Sequence, residues 1–162
     1  SQQFTQRKVK KEYLALTWGK LEEQGIIEGE IGRHPRNRKL FAMVDHGGRE
    51  SSSQYKLEEY FPPLSWVRLF PKTGRTHQLR VHLKSIGHPI FCDDSYGGGA
   101  KYARSFHVKY TQIINLLVKT INRVALHAHS LEILHPTTKK KMLFKAELPQ
   151  DLQQALEILR DG

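Results

Sequence analysis

The chain has 162 residues, enough for one compact domain around a single core and too few for two. Twenty-six Lys and Arg against sixteen Asp and Glu leave a formal net charge of +10, which favours a polyanionic partner such as nucleic acid, since each basic contact to a phosphate releases condensed counterions. No apolar run approaches the roughly 18 residues of a membrane-spanning helix, and the opening SQQFTQRKVKKEY lacks the apolar stretch of a signal peptide.

In chain order, alternation from Lys10 to Trp18 predicts a strand with Tyr13, Ala15 and Thr17 on one face and Leu14, Leu16 and Trp18 on the other. GIIEGEIG reads as a second short strand closed by Gly32. RHPRNRKLFAMV begins as a basic loop and ends in an extended apolar run. After a turn at Gly47-Gly48, SSSQYKLEEYF and SWVRLFP are two more predicted strands, separated by Pro62-Pro63.

The period then changes. In THQLRVHLKSIGH, Leu79, Leu83 and Ile86 recur at helical spacing, with Thr76 as the expected N-cap and Gly87 where the helix ends. CDDSYGGGA is a loop, and YTQIINLLVKTI is a second helix. ALHAHSLEIL and KMLFKAEL flank the turn HPTTKK as strands, and Pro149 precedes a helix with Leu152, Leu156 and Leu159 on one side. Runs of strands with a few helices between them predict an α+β domain, its sheet mainly antiparallel but mixed, with a few flanking helices.

The chemistry concentrates between Lys72 and Gly98. Gly74 permits a tight turn, and Arg75, His77 and Arg80 cluster about the first turn of the predicted helix. Free backbone N–H groups and the positive end of the helix dipole meet there, a setting that suits a phosphate or carboxylate. Arg80, one turn inside, can pair with a carboxylate from another segment; on spacing alone a surface arginine is the plainer reading. Asp93 and Asp94 stand side by side as a pair of the kind used in acid–base work, but they fall in the loop after Gly87-His88-Pro89 and are read as non-catalytic. The histidine pairs His127/His129 and His77/His82 share faces without the spacing of a strong metal motif. The single Cys92 excludes an internal disulfide and points to a reducing, intracellular compartment; it reads as a small buried residue. Lys8, Lys10 and Lys11 read as a solvated face.

GRTHQLRVHL, followed by GHPI, a small acidic loop and YGG, resembles the signature of the RNA pseudouridine synthase family that modifies ribosomal and transfer RNA. Three further stretches agree in order. KKEYLALTWG resembles the family's Lys-x-Tyr-Leu-Ala strand, and IGRHPRNRKLFAMV its Ile-Gly-Arg-His-Pro loop. RVALHAHSLEILHPTTKKKMLFKAELPQDL resembles its closing strand, His-Pro turn and terminal helix. The likeness spans nearly the whole chain and is weakest from Lys101 to Asn122.

The resemblance implies isomerisation of uridine in structured RNA, ribosomal or transfer, without metal or cofactor, in the cytoplasm. It implies that Arg80 holds the family's catalytic Asp and that Tyr13 stacks on the target base. Arg33, His34, Arg36 and Arg38 then form an RNA-gripping loop, and Arg75, His77 and Gln78 are further RNA contacts. Spacing alone would favour Tyr13 as an inward core residue on its strand and would leave the 33–38 stretch a solvated loop. The family's Asp stands in a His/Gly-Arg-Leu-Asp motif upstream of Lys-x-Tyr-Leu-Ala, and no such motif occurs in these residues. The expectation is therefore that residues 1–162 are the C-terminal portion of one catalytic domain, inactive alone. A non-catalytic RNA-binding module and a metal-dependent hydrolase using the histidines with Asp93 or Asp94 are the alternatives.

Overall fold

The computed structural model describes residues 9–162, so Lys8 lies outside the described residues. Seven strands form one sheet: β1 (Lys10–Trp18), β2 (Gln24–Arg33), β3 (Phe41–Val44), β4 (Arg49–Phe61), β5 (Leu64–Pro71), β6 (Leu126–Leu134) and β7 (Lys141–Lys145). Their order is β3-β2-β4-β5-β1-β6-β7. Every pairing among the described residues is antiparallel, so the sheet is not mixed. The reason is local: β2–β3, β4–β5 and β6–β7 are joined by turns too short for the crossover that parallel strands need.

β1 lies between β5 and β6, and its C-terminal half, Leu14 to Trp18, is buried on both faces. The alternation that the sequence shows is therefore between two covered faces, not between core and solvent. Trp18 packs against Phe91, Tyr102 and Phe106 at centroid distances of 5.3, 5.4 and 5.7 Å. Its indole N–H donates to the Gly98 carbonyl at 2.7 Å, which removes the cost of burying that donor. The core continues through α2 (Thr111–Thr120) and α3 (Gln150–Asp161), whose Ile114, Leu117, Leu152, Leu156 and Leu159 join the same apolar cluster.

The helix α1 (Gln78–Ser85) begins later than Thr76. His77 is the N-cap, in the left-handed conformation at φ 55°, and no side chain caps the first turn. Thr76 is not the cap because the turn before the helix is closed another way: the Gln78 amide oxygen accepts from the Arg75 N–H at 3.1 Å. Gly87 ends the helix as expected, at φ 82°, with its N–H bonded to the Lys84 carbonyl. Leu79 and Leu83 are buried, whereas Ile86 falls at the C-cap and is exposed. The acidic loop folds into a short 3-10 turn over Asp94–Tyr96. β7 stops at Lys145, short of the predicted Leu148.

Candidate active site

The N-terminal end of α1, the turn after β5 and the middle of β1 enclose a cleft of about 210 Å³. Lys11 and Tyr13 reach it from β1, Thr73, Gly74 and Arg75 from the turn, and His77, Gln78 and Arg80 from α1, with Leu79 and Leu126 as its apolar part. Five predicted site residues (Tyr13, Arg75, His77, Gln78, Arg80) thus meet, although the sequence separates Tyr13 from the rest by four strands. Beside Tyr13 the β1–β6 ladder is irregular: Glu12 opposes Ser130 and Tyr13 opposes Ala128, leaving His129 as an extra residue. Such a bulge re-aims neighbouring side chains.

Arg80 is not a surface arginine. Its Nε donates to Asp93 Oδ2 at 2.9 Å and its Nη2 to Asp93 Oδ1 at 2.8 Å, a side-on bidentate pair. Asp93 is fully buried and the Arg80 side chain only 21% exposed. The guanidinium also lies over the Tyr96 ring, 4.8 Å from its centroid. The hydrogen bonds that Arg80 donates to Asp93 raise its pKa against the effect of burial. The pair leaves Nη1 for an incoming group. Asp93 therefore serves as the anchor of Arg80.

Tyr96 is 1% exposed, so its hydroxyl proton needs an acceptor. The oxygen accepts from the Phe41 N–H at 3.1 Å and sits 2.7 Å from His77 Nδ1. The proton therefore goes to Nδ1, which fixes His77 as the Nε2–H tautomer. Burial, then the charge of Arg80, lowers the His77 pKa, so the ring is neutral near pH 7. Phe41 meets His77 edge-on at 5.6 Å. His77 thus presents one N–H donor to the cleft.

Gln78 behaves differently from the expectation of an RNA contact. It is 4% exposed, and its amide makes four internal hydrogen bonds. Oε1 accepts from Thr73 Oγ1 and Arg75 N; Nε2 donates to the Ser52 carbonyl and Ser53 Oγ. No capacity remains for a ligand, and its role is to hold the turn. The network runs on through His82, which is fully buried. Ser51 Oγ donates to the Gly29 carbonyl and so accepts from His82 Nε2; Ser53 Oγ accepts from Gln78 and so donates to His82 Nδ1. His82 is held neutral, and burial lowers its pKa to about 4.

The 33–38 loop stands outside the cleft and is exposed. Arg33 Nη1 donates to the Arg38 carbonyl at 2.9 Å, and its guanidinium lies over Phe41 at 4.7 Å. Through Phe41 and His77 the loop touches the cleft wall. His34 Nδ1 accepts from the N–H groups of Arg36 and Asn37, so this nitrogen shapes the turn and is closed to RNA. Lys11 is half-buried and lines the cleft, which corrects its reading as part of a solvated face, while Lys10 is exposed with Glu132 at 3.8 Å.

Cys92 is half-buried, and burial, with the nearby Asp94, pushes its thiol up to about 11, which makes it a poor nucleophile. His127 and His129 lie 5.7 Å apart, with His127 Nε2 donating to the Ala146 carbonyl. Among the described residues no three or more His, Cys, Asp or Glu side chains converge as metal ligands. Asp93, one of the two carboxylates of the hydrolase alternative, is committed to Arg80. Sequence reasoning missed Tyr96 and Phe41; the Tyr of the YGG segment carries a signal as part of a motif, and Phe41 carries none. His82, which the sequence pairs with His77, has a structural place.

A family profile described as RNA pseudouridylate synthase matches residues 1–85. A ribosomal large subunit pseudouridine synthase D of Nitrosomonas europaea is 37% identical over 161 residues, 99% of this chain and 44% of the relative. Another of that name, from Blochmanniella floridana, is 39% identical over 159 residues, covering 97% and 48%. The chain spans about half the length of the curated relatives it matches. Among solved structures, human RNA pseudouridylate synthase domain containing 1 superposes with a TM-score of 0.68 at 28% identity, covering 99% of this chain and 69% of that one. Human RNA pseudouridylate synthase domain containing 4, at 23% identity and a TM-score of 0.74, covers 98% and 65% and shares the fold.

Proposed function

The chain belongs to the RNA pseudouridylate synthase family, and on that premise we propose that its cleft receives one uridine extruded from structured RNA, ribosomal or transfer, for isomerisation to pseudouridine. The observation that carries this reading is the meeting of Tyr13 with the anchored Arg80 in one basic cleft. A sugar–base bond is out of reach inside a helix, so the nucleotide must leave its stack at a cost of a few kcal/mol. Stacking on the Tyr13 ring, about 1–3 kcal/mol per base, offsets that cost. We assign His77 Nε2–H as a donor to a uracil carbonyl. As a neutral donor it can do so without protonating the base.

The isomerisation requires that the N-glycosidic bond break and the base rejoin through carbon. A carboxylate attacks the sugar or takes a proton from it. Arg80 Nη1 is the group to receive that carboxylate, keeping it ionised and oriented, because a nearby cation lowers a carboxylate pKa. Among the described residues no Asp or Glu lines the cleft. We therefore propose that the 162-residue chain is inactive on its own and needs an Asp from polypeptide encoded upstream. With RNA as substrate, the compartment we assign is the cytoplasm, and no cofactor takes part because no redox change occurs.

The test is to assay pseudouridine formation by this chain and by a version carrying the encoded upstream sequence. Activity in the longer protein alone is the expected result; equal activity in both would refute the need for an upstream carboxylate. If the longer protein binds RNA and forms no pseudouridine, the non-catalytic RNA-binding module replaces this reading. In the longer protein, Arg80→Glu should abolish turnover and lower RNA affinity only modestly. A large affinity loss with unchanged turnover would contradict the role given to Arg80.

A further inference from the structure

A second concavity, of about 270 Å³, opens from the cleft and carries four cations: Lys11, Arg49, Lys72 and Arg75, around Thr73 and Gly74. It shares Lys11, Thr73, Gly74 and Arg75 with the cleft, so the two are continuous. Arg49 and Lys72 are exposed, and among the described residues neither has a carboxylate within ion-pair distance. Holding Arg49 and Lys72 beside two further cations is unfavourable for the folded chain, and an incoming polyanion relieves it.

The floor of the groove is tied down by hydrogen bonds. The Lys72 N–H is bonded to the Ser52 carbonyl at 2.8 Å, and Thr73 Oγ1 accepts from the Ser52 N–H and donates to Gln78. Arg75 Nε donates to the Glu50 carbonyl at 2.7 Å. On the far side of Thr73 a hollow lined by Glu28, Glu30 and Glu50 would repel phosphates and so bounds the basic path. The 33–38 loop reaches the cleft by another wall, through Phe41 and His77.

We propose that this groove is a phosphate track: it holds the RNA backbone adjoining the target nucleotide, with Arg49 and Lys72 as phosphate contacts, while the 33–38 loop grips the strand at a separate wall. The proposal rests on the isomerase reading only in taking RNA as the ligand. Contacts to phosphates position a strand without reading its sequence. Arg49 and Lys72 should therefore matter equally for RNA with and without uridine.

The experiment measures binding of a single-stranded oligoadenylate RNA by the 162-residue chain across a salt series. Arg49→Gln with Lys72→Gln should weaken binding about tenfold near 0.1 M salt and make the log–log salt slope shallower by about 1.4, at about 0.7 per phosphate on a single strand. Lys139→Gln with Lys140→Gln, in the β6–β7 turn, removes the same net charge and should leave the slope unchanged. An unaltered slope in the first pair, or an equal fall in both, would overturn the track. Thermal melts establish that each pair folds. Because the probe holds no uridine, a shallower slope stands even if the longer protein makes no pseudouridine. Conversely, pseudouridine formation with an unaltered slope sinks the track and spares the isomerase.

Discussion

Two basic regions border the cleft, and they are built on opposite plans. In the wall from Thr73 to Tyr96, nearly every polar group is answered by another group of the protein: Gln78 by Thr73, Arg75, Ser52 and Ser53, His82 by Ser51 and Ser53, Arg80 by Asp93, His77 by Tyr96. In the 33–38 loop the charges stand in water, tied down by Arg33 to the Arg38 carbonyl and by the nitrogen of His34. The difference teaches what each charge is for. A guanidinium with one edge fixed by a buried carboxylate can position one reacting group at its free Nη1. Solvated cations attract a polyanion from a distance and are individually replaceable.

The sharpest way to break this contrast is at Asp93. Asp93→Ala leaves the Arg80 charge half-buried without its partner and should destabilise the fold by about 4 kcal/mol, read as a shift of the denaturant midpoint. In the longer protein it should also remove most turnover. A variant as stable as the parent would mean that the pair anchors nothing.

Next in size is the response to acid. His82 has a folded pKa of about 4 against an ordinary 6.5, so between those values the unfolded chain binds the extra proton. Stability is then fully present above about pH 6.5 and falls as the pH drops toward 4, by up to about 3 kcal/mol. His82→Gln should flatten that part of the profile of melting temperature against pH. An unchanged difference between pH 7 and pH 4.5 would show that the buried ring does not titrate as its surroundings dictate.

Smaller again is Gln78→Ala, which strands the Arg75 N–H and Ser53. About 2 kcal/mol of stability should be lost. If stability holds while RNA affinity collapses, Gln78 is a contact after all. The smallest effect belongs to the loop: Arg36→Gln with Arg38→Gln should change stability by less than about 0.5 kcal/mol while making RNA binding less salt-dependent. A melting shift of several degrees would erase the distinction between wall and loop.

Much of the fold was legible because its signals are local. Alternation located β1, Gly87 marked the end of α1, and the apolar stripe of Leu152, Leu156 and Leu159 placed α3 against the core. The site was legible in part. Arg80 and Tyr13 were named through the resemblance, and the cleft does bring them together. Asp93 was weighed as an acid or base because sequence shows a carboxylate without its partner. Gln78 was misread for the same reason, since an amide between Arg and His looks like a ligand contact until its four bonds are counted.

By itself the sequence determined what short-range rules encode: which segments extend, which coil, where glycine and proline stop them, and a surplus of cations that calls for an anionic partner. Only the tertiary structure decided which of those polar groups face one another. A hydrogen bond satisfies whichever partner folding brings within about 3 Å. Ser51 and Ser53 on β4 therefore set the proton of His82 on α1, and Tyr96 sets that of His77. The same closure buried Asp93 against Arg80 and, among the described residues, left Arg49 and Lys72 with no carboxylate in ion-pair distance beside the cleft.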